Sequence, residues 1–196
     1  MTRLAVIIGS TRPGRRSDQV AHWVKDAVDK RAEVTAELVD IAEFGLPLLD
    51  EPVPAMFGDY RNAHTRAWAE KIASFDGFVF VTPEYNHSSP AALKNAIDYL
   101  FAEWNDKAAG FVSFGANGGV RAVEHLRLTL AEVKVAGVRS QVALSLFTDF
   151  EISDPTAPGT FAPGEHQAEG LEAMLDEVVS WSAALKPLRT AAVQAA

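Results

Sequence analysis

The amino-acid sequence predicts an α/β fold, a single domain over residues 1–196 built on an open five-stranded parallel sheet with helices on both faces. Two observations carry this expectation. Strand-like and helix-like segments alternate along the whole chain, the mark of successive βα units. The first strand-like segment, Leu4–Ile8, is five apolar residues rich in β-branched types, as expected of a strand buried on both faces. Right-handed crossovers then restrict the topology, and a ligand is expected at the carboxyl ends of the strands.

The elements follow in order. After Leu4–Ile8, residues Val20, Trp23, Val24, Ala27 and Val28 fall at helical spacing on one face. Val34–Val39 alternates like a sheet strand. Asp40–Gly58 is loop, since Pro47, Pro52 and Pro54 exclude long regular structure. Tyr60–Ser74 reads as a helix and Phe78–Val81 as a short buried strand. Pro90–Phe101 is a helix with Leu93, Ala96, Ile97 and Leu100 on one face, Ser89 as its N-cap and Pro90 as its first residue. Gly110–Phe114 is the fourth strand, Val120–Val133 the fourth helix and Val138–Leu146 holds the fifth strand. Asp149–Gly164 is a loop rich in proline and glycine. A last helix over His166–Leu185 places Leu171, Met174, Leu175, Val178 and Ser182 on one face.

Composition narrows the function. With 48% hydrophobic residues the chain can fill one core. A net charge of −8 argues against nucleic acid and against anionic membrane surfaces as partners. There is no cysteine, which excludes disulfides, cysteine-ligated clusters and thiol nucleophiles. The start of the chain lacks a signal-peptide layout and no apolar stretch approaches the roughly 18 residues that span a bilayer, so a soluble cytoplasmic protein is expected. The histidines His22, His64, His87, His125 and His166 show no metal-ligand spacing, and no metal is expected. No G-x-S-x-G elbow supports a hydrolase triad.

The chemistry gathers in the loop Gly9-Ser10-Thr11-Arg12-Pro13-Gly14-Arg15-Arg16-Ser17, which joins a strand's carboxyl end to a helix's amino end. Backbone N–H groups there are unpaired and the helix dipole favours an anion. Hydroxyls and guanidinium forks complete such a site for phosphate. Neither the G-x-G-x-x-G fingerprint nor the G-x-x-x-x-G-K-[ST] loop is present, because Ser10-Thr11-Arg12 and Arg15-Arg16 stand at the deciding positions. A hydroxyl-rich loop instead suits a terminal phosphomonoester such as that of FMN; the alternative is an arginine-decorated surface turn. Two further loops follow strand ends in the same sense. Thr82–Ser89 offers backbone N–H groups to a flat heterocycle. Gly115-Ala116-Asn117-Gly118-Gly119 lacks Cβ atoms where a planar ring would approach. Arg121, His125 and Arg127 could meet the additional phosphate of NADPH or simply form an exposed helix face.

Together Gly9-Ser10-x-Arg12 with Ser17, Pro83-Glu84-Tyr85-Asn86-x-Ser88-x-Pro90 and Leu93-Lys94-Asn95-Ala96-Ile97-Asp98 resemble the NADPH-dependent FMN reductase family, flavodoxin-like flavoproteins related to quinone and chromate reductases and azoreductases. The resemblance covers Leu4 to about Leu146. It implies a three-layer flavodoxin-like sandwich with strand order 2-1-3-4-5. It implies Ser10, Arg12, Ser17 and Gln19 at the FMN phosphate, Pro83, Glu84, Tyr85, Asn86 and His87 along the isoalloxazine, and Ser113, Gly115 and Gly118 on the ring's other flank. The chain departs from the pattern at Ser17-Asp18-Gln19, where Ser-x-Asn is frequent, and at Ala91, where glycine is common. The implied function is hydride transfer from NADPH or NADH to the flavin and on to a small-molecule acceptor: a quinone, free flavin, azo compound or metal oxyanion. The flavin carries the chemistry, so no catalytic side chain is expected. The alternatives are a flavodoxin-type electron carrier and a flavin-free binding module on the same fold. The resemblance also implies a homodimer, sometimes paired into a tetramer, with the apolar loop Phe44–Leu49 not free in water and Tyr85, Phe101 and Trp104 near the contact.

Overall fold

The computed structural model describes residues 1–194. Five parallel strands form the central sheet: β1 (Thr2–Ile8), β2 (Val34–Asp40), β3 (Gly77–Pro83), β4 (Lys107–Gly115) and β5 (Val135–Ser145), in the order β2-β1-β3-β4-β5. The helices are α1 (Ser17–Val28), α2 (Ala63–Ala73), α3 (Ala91–Asp98), α4 (Val120–Glu132) and α5 (Glu165–Gln194). The expected fold class and strand order are those observed.

Period-two alternation splits the core between the two sheet faces. Leu4, Val6 and Ile8 of β1, with Val79 and Val81 of β3, pack against α1 and α5 through Val20, Val24, Leu171, Met174, Leu175 and Val178. Ala5, Ile7, Phe78 and Phe80 point the other way, onto Trp68 and Ile72 of α2, Leu93 and Ile97 of α3, and Val123 and Leu126 of α4. The second layer is strongly aromatic, with Trp104 packed edge-on against Trp68 and Phe78 at 6.0 and 5.0 Å between ring centroids. Trp104 is wholly buried and its Nε1 donates to the Ile97 carbonyl at 3.1 Å. It is a core residue of the protomer and has no exposed surface of its own to offer a partner subunit.

Element ends differ where local hydrogen bonds decide them. Pro90 is extended (φ −56°, ψ 139°) and caps α3 from outside, its carbonyl accepting from Leu93 and Lys94, so the helix starts at Ala91 and Ser89 is not the cap. That helix stops at Asp98, short of Phe101. Helix α2 begins at Ala63 because the Glu51 carboxylate takes the N–H groups of Arg61 and Asn62 at 2.8 and 2.9 Å, holding the preceding residues as a turn. The loop Asp149–Gly164 contains a short antiparallel hairpin, β6 (Phe150–Glu151) and β7 (Thr160–Phe161). Helix α5 continues beyond Leu185 through Pro187.

Candidate active site

The strand order reverses between β1 and β3, and the loops after those strands meet at that switch point, where open α/β sheets hold their ligands. A hydrogen bond of 2.8 Å between Ser10 Oγ and the Tyr85 hydroxyl joins them. Around the joint lies a cleft of about 230 Å3 lined by Arg12, Arg15, Arg16, Pro83, Glu84, Tyr85, Phe114, Gly115 and Leu146. Residues of all three sequence-predicted loops therefore share one cavity.

The arginines of the first loop are not equivalent. Arg15 donates to Asp18, to both carboxylate oxygens of Asp40 and to the Ser10 carbonyl, which neutralises it and fixes the loop. Burial opposes its charge, but the Asp40 and Asp18 carboxylates outweigh that and raise its pKa. Arg12 is exposed and its guanidinium has no partner among the described residues. Arg16 makes no ion pair among the described residues; one guanidinium nitrogen donates to the Ala157 carbonyl at 2.7 Å while its Nε is buried with no acceptor. The Ser17 hydroxyl, in the first turn of α1, is also buried without a partner, and α1 has no side-chain cap. Buried donors left alone are costly and normally satisfied. Two orphaned donors, an uncapped helix start and an unpaired arginine form a cradle that an anion completes.

The second loop is a tight turn. Tyr85 and Ser88 exchange backbone hydrogen bonds at 2.9 and 3.2 Å, which forces Asn86 (φ 48°) and His87 (φ 74°) into the left-handed region. Non-glycine residues held there store strain, a frequent property of binding loops. The N–H of Glu84 is taken by the Phe114 carbonyl at 3.0 Å, so the backbone donors of this turn without a partner among the described residues are those of Asn86 and His87. The Glu84 side chain turns inward to an ion pair with Arg121 and accepts the Arg121 N–H at 3.2 Å, at the start of α4. Burial pushes its pKa up, yet the guanidinium and the N–H groups of the helix outweigh burial and hold the carboxyl below its usual range.

Several predicted site residues do other work. Gln19 is turned away from the cradle: its amide donates to the Gly159 carbonyl at 3.1 Å and accepts the Phe161 N–H at 2.8 Å, pinning the hairpin onto α1. Ser113 is fully buried and its hydroxyl donates to the Gly118 carbonyl at 2.7 Å, so it shapes the glycine turn instead of touching the cleft. Gly118 (φ +70°) faces the protein; a Cβ there would sit 3.0 Å from that of Ala143. Of the third loop, Gly115 alone lines the cleft. Arg121 and Arg127 are engaged within the chain, Arg121 in the ion pair with Glu84 and Arg127 donating to the Val138 carbonyl at 2.6 Å, while Arg121 Nε is buried without a partner among the described residues. Ser10 braces the two loops. Arg16 and Leu146 are cleft residues that the sequence alone did not single out. Arg16 belongs to a conspicuous basic loop, but nothing in the order Arg15-Arg16 tells which guanidinium is neutralised.

Fold and site together define a flavodoxin-like nucleotide-binding protein: strand order 2-1-3-4-5 with an anion cradle at the β1/β3 switch point. The model of the family described as NADPH-dependent FMN reductase matches residues 2–149. An NAD(P)H-dependent FMN reductase of Schizosaccharomyces pombe is 40% identical over 149 residues, 75% of this chain and 74% of its own. A quinone reductase of Escherichia coli is 38% identical over 134 residues, 65% of this chain and 69% of its own. In structure, FerB of Paracoccus denitrificans, a flavoenzyme NAD(P)H:(acceptor) oxidoreductase, shares the fold with a TM-score of 0.70 at 22% identity, covering 93% of this chain and 97% of that one. The chain belongs to the NADPH-dependent FMN reductase family. It is accordingly an oxidoreductase with FMN as its cofactor and NAD(P)H as reductant. No helix among the described residues is long and apolar enough to cross a membrane.

Proposed function

We propose that this protein is a cytoplasmic NAD(P)H oxidoreductase whose FMN lies along the cleft, its phosphate at Arg12, Arg16 and Ser17 and its ring against Pro83–His87 and Gly115. The observation that carries the reading is the pair of buried, unpartnered donors on Arg16 and Ser17 beside the unpaired Arg12. Bound there, FMN would supply the redox chemistry, taking a hydride from NAD(P)H and passing it to an acceptor such as a quinone, free flavin, azo compound or metal oxyanion. The chain's own part is to hold and polarise. The unpartnered N–H groups of Asn86 and His87 are donors for ring carbonyls and nitrogens, and fixed donors favour negative charge that grows during reaction. The Glu84–Arg121 pair ties the ring loop to α4, so that those donors keep their positions.

The working form is a homodimer. Leu48, Leu49, Met56 and Phe57 are exposed on one proline-rich segment, 84% in the case of Leu48, and such a patch marks an interaction surface. The segment is held in shape, since Tyr99 donates to the Asp50 carboxylate at 2.9 Å and to the Pro47 carbonyl at 3.1 Å. A second copy would cover it with closed two-fold symmetry.

An anaerobic titration tests the reading. Purified protein should carry stoichiometric FMN, NADPH should bleach it, and a quinone should restore the colour. Initial-rate lines should run parallel when NADPH and quinone are varied together. A yellow protein that NADPH leaves oxidised would instead be an electron carrier, and a protein with no affinity for FMN would end the proposal.

A further inference from the structure

A second cavity, larger than the cleft, adjoins it on the side of α1. It encloses about 450 Å3 and is lined by Arg16, Leu146, Phe147, Phe150, Ile152 and Pro155. That volume falls in the range of small-molecule sites, about 300–1,000 Å3. Arg16 and Leu146 line both cavities, so the two adjoin at these side chains. The walls are largely apolar and partly aromatic, and three of them, Phe150, Ile152 and Pro155, lie beyond residue 149, where the family match ends.

The segment is built, not slack. Asp149 is almost wholly buried; its carboxylate accepts from the Ser145 N–H at 2.8 Å and the Thr148 hydroxyl at 3.1 Å. Gln19 anchors the hairpin from α1, and Phe150 packs between Phe114 and Phe161 at 5.8 and 5.1 Å. Arg16 brings the one cation of this cavity, with no carboxylate paired to it. Two acids of the segment are satisfied within it: Asp149 as above, and Asp154 by Thr156 at 2.8 and 2.7 Å.

A chamber with flat apolar walls, beside a phosphate cradle and an unpaired guanidinium, fits an aromatic base joined to phosphate. We propose that it is a subsite for the adenosine-phosphate end of a dinucleotide, Arg16 bridging the phosphates and Phe147, Ile152 and Pro155 walling the base. The proposal rests on the placement of FMN argued above. Two dinucleotides bring that chemistry: FAD taken in place of FMN, and the nicotinamide co-substrate.

Apoprotein of the full chain, titrated with FMN and with FAD, separates them, together with two variants outside the cleft. Phe147→Ala removes an exposed wall and Ile152→Trp fills the chamber. If the subsite serves the flavin, FAD binds at least about tenfold tighter than FMN, and both variants erase that advantage while leaving FMN unchanged. If it serves the co-substrate, FAD has no advantage. ADP-ribose then competes with NADPH on the FMN-loaded enzyme, and the variants raise the KM for NADPH but not for reduced nicotinamide mononucleotide. The subsite is overturned if FAD binds no tighter than FMN and ADP-ribose leaves the KM for NADPH unmoved. It is equally overturned if the variants weaken FMN as much as FAD. FMN binding by the unaltered protein in the same titration shows separately whether the flavin reading stands.

Discussion

Arg12 and Arg15 lie three residues apart in one loop, and the structure gives them opposite jobs. Arg12 is exposed and unpaired, so Arg12→Ala removes no contact of the folded chain and should change stability by less than about 0.5 kcal/mol. Its effect belongs to the phosphate. A charge-assisted hydrogen bond is worth roughly 1.5–3 kcal/mol, and screening at an exposed position favours the lower end. FMN affinity should therefore fall by roughly tenfold to thirtyfold, while riboflavin, which lacks the phosphate, is unaffected. Arg15 is the reverse. Its side chain and that of Asp40 are 14% and 18% exposed, and Arg15→Met strands the Asp40 carboxylate as well as freeing the Ser10 carbonyl. The pair is less buried than those whose disruption costs about 3–5 kcal/mol, so a loss of roughly 2–3 kcal/mol is expected. Asp40→Asn added to Arg15→Met should recover part of it. Quenching of FMN and riboflavin fluorescence by apoprotein measures the first effect, and urea denaturation the second. Equal weakening of both flavins by Arg12→Ala, or a larger stability loss from Arg12→Ala than from Arg15→Met, would refute this division of labour.

Other outcomes follow from single contacts. Gly119→Ala should cost more than about 2 kcal/mol in thermal unfolding, because its Cβ would lie 2.8 Å from the Phe114 nitrogen at φ +71°; Gly14→Ala, with φ +68° and open space, should cost only about 1 kcal/mol. Ser10→Ala and Tyr85→Phe each remove the same 2.8 Å hydrogen bond, so the double variant should be no less stable than the worse single one, as a double-mutant cycle would show. Burial pushes the Lys107 ammonium down to about 7, even though it donates to the Ile72 carbonyl at 2.8 Å. Between that value and the unfolded value of about 10.4 the unfolded chain binds more protons, so stability should rise with pH there, and Lys107→Met should abolish the rise in pH-dependent denaturation. Leu48→Glu combined with Phe57→Glu should yield a folded monomer in sedimentation if that patch forms the dimer.

The sheet and the three converging loops were readable because period and punctuation specify them: continuous apolar strands, a 3.6 spacing between them, and polar loops at the strand ends; the strand order came from the family resemblance. The site was readable to the level of loops, not of side chains. Ser113 and Gln19 carry polar groups at the right places in sequence, yet the ladder directs Ser113 inward and the hairpin at 150–161 claims Gln19. No local pattern announces either, since both partners lie far along the chain or across a turn. The hairpin itself hid within a segment whose Pro155, Pro158 and Gly159 read as irregular, and its strands are only two residues each. Trp104 could be core or subunit contact from its sequence position; three other aromatic rings place it in the core.

Helix α5 has a consequence for the way this chain is made. It packs on one face of β4 and β5, with Met174 and Val178 seated so close over Gly110 that a Cβ there would lie 2.7 Å from Val178. Every element that shapes the flavin cleft is synthesised before it. During translation, then, the candidate site's loops are complete while Val112, Val142 and Leu144 still lack the cover of α5, and a nascent chain in that condition presents a sticky surface. A cofactor that engages the early loops would hold the sheet's upper edge together over that interval, so flavin supply during synthesis should govern how much protein reaches the soluble fraction.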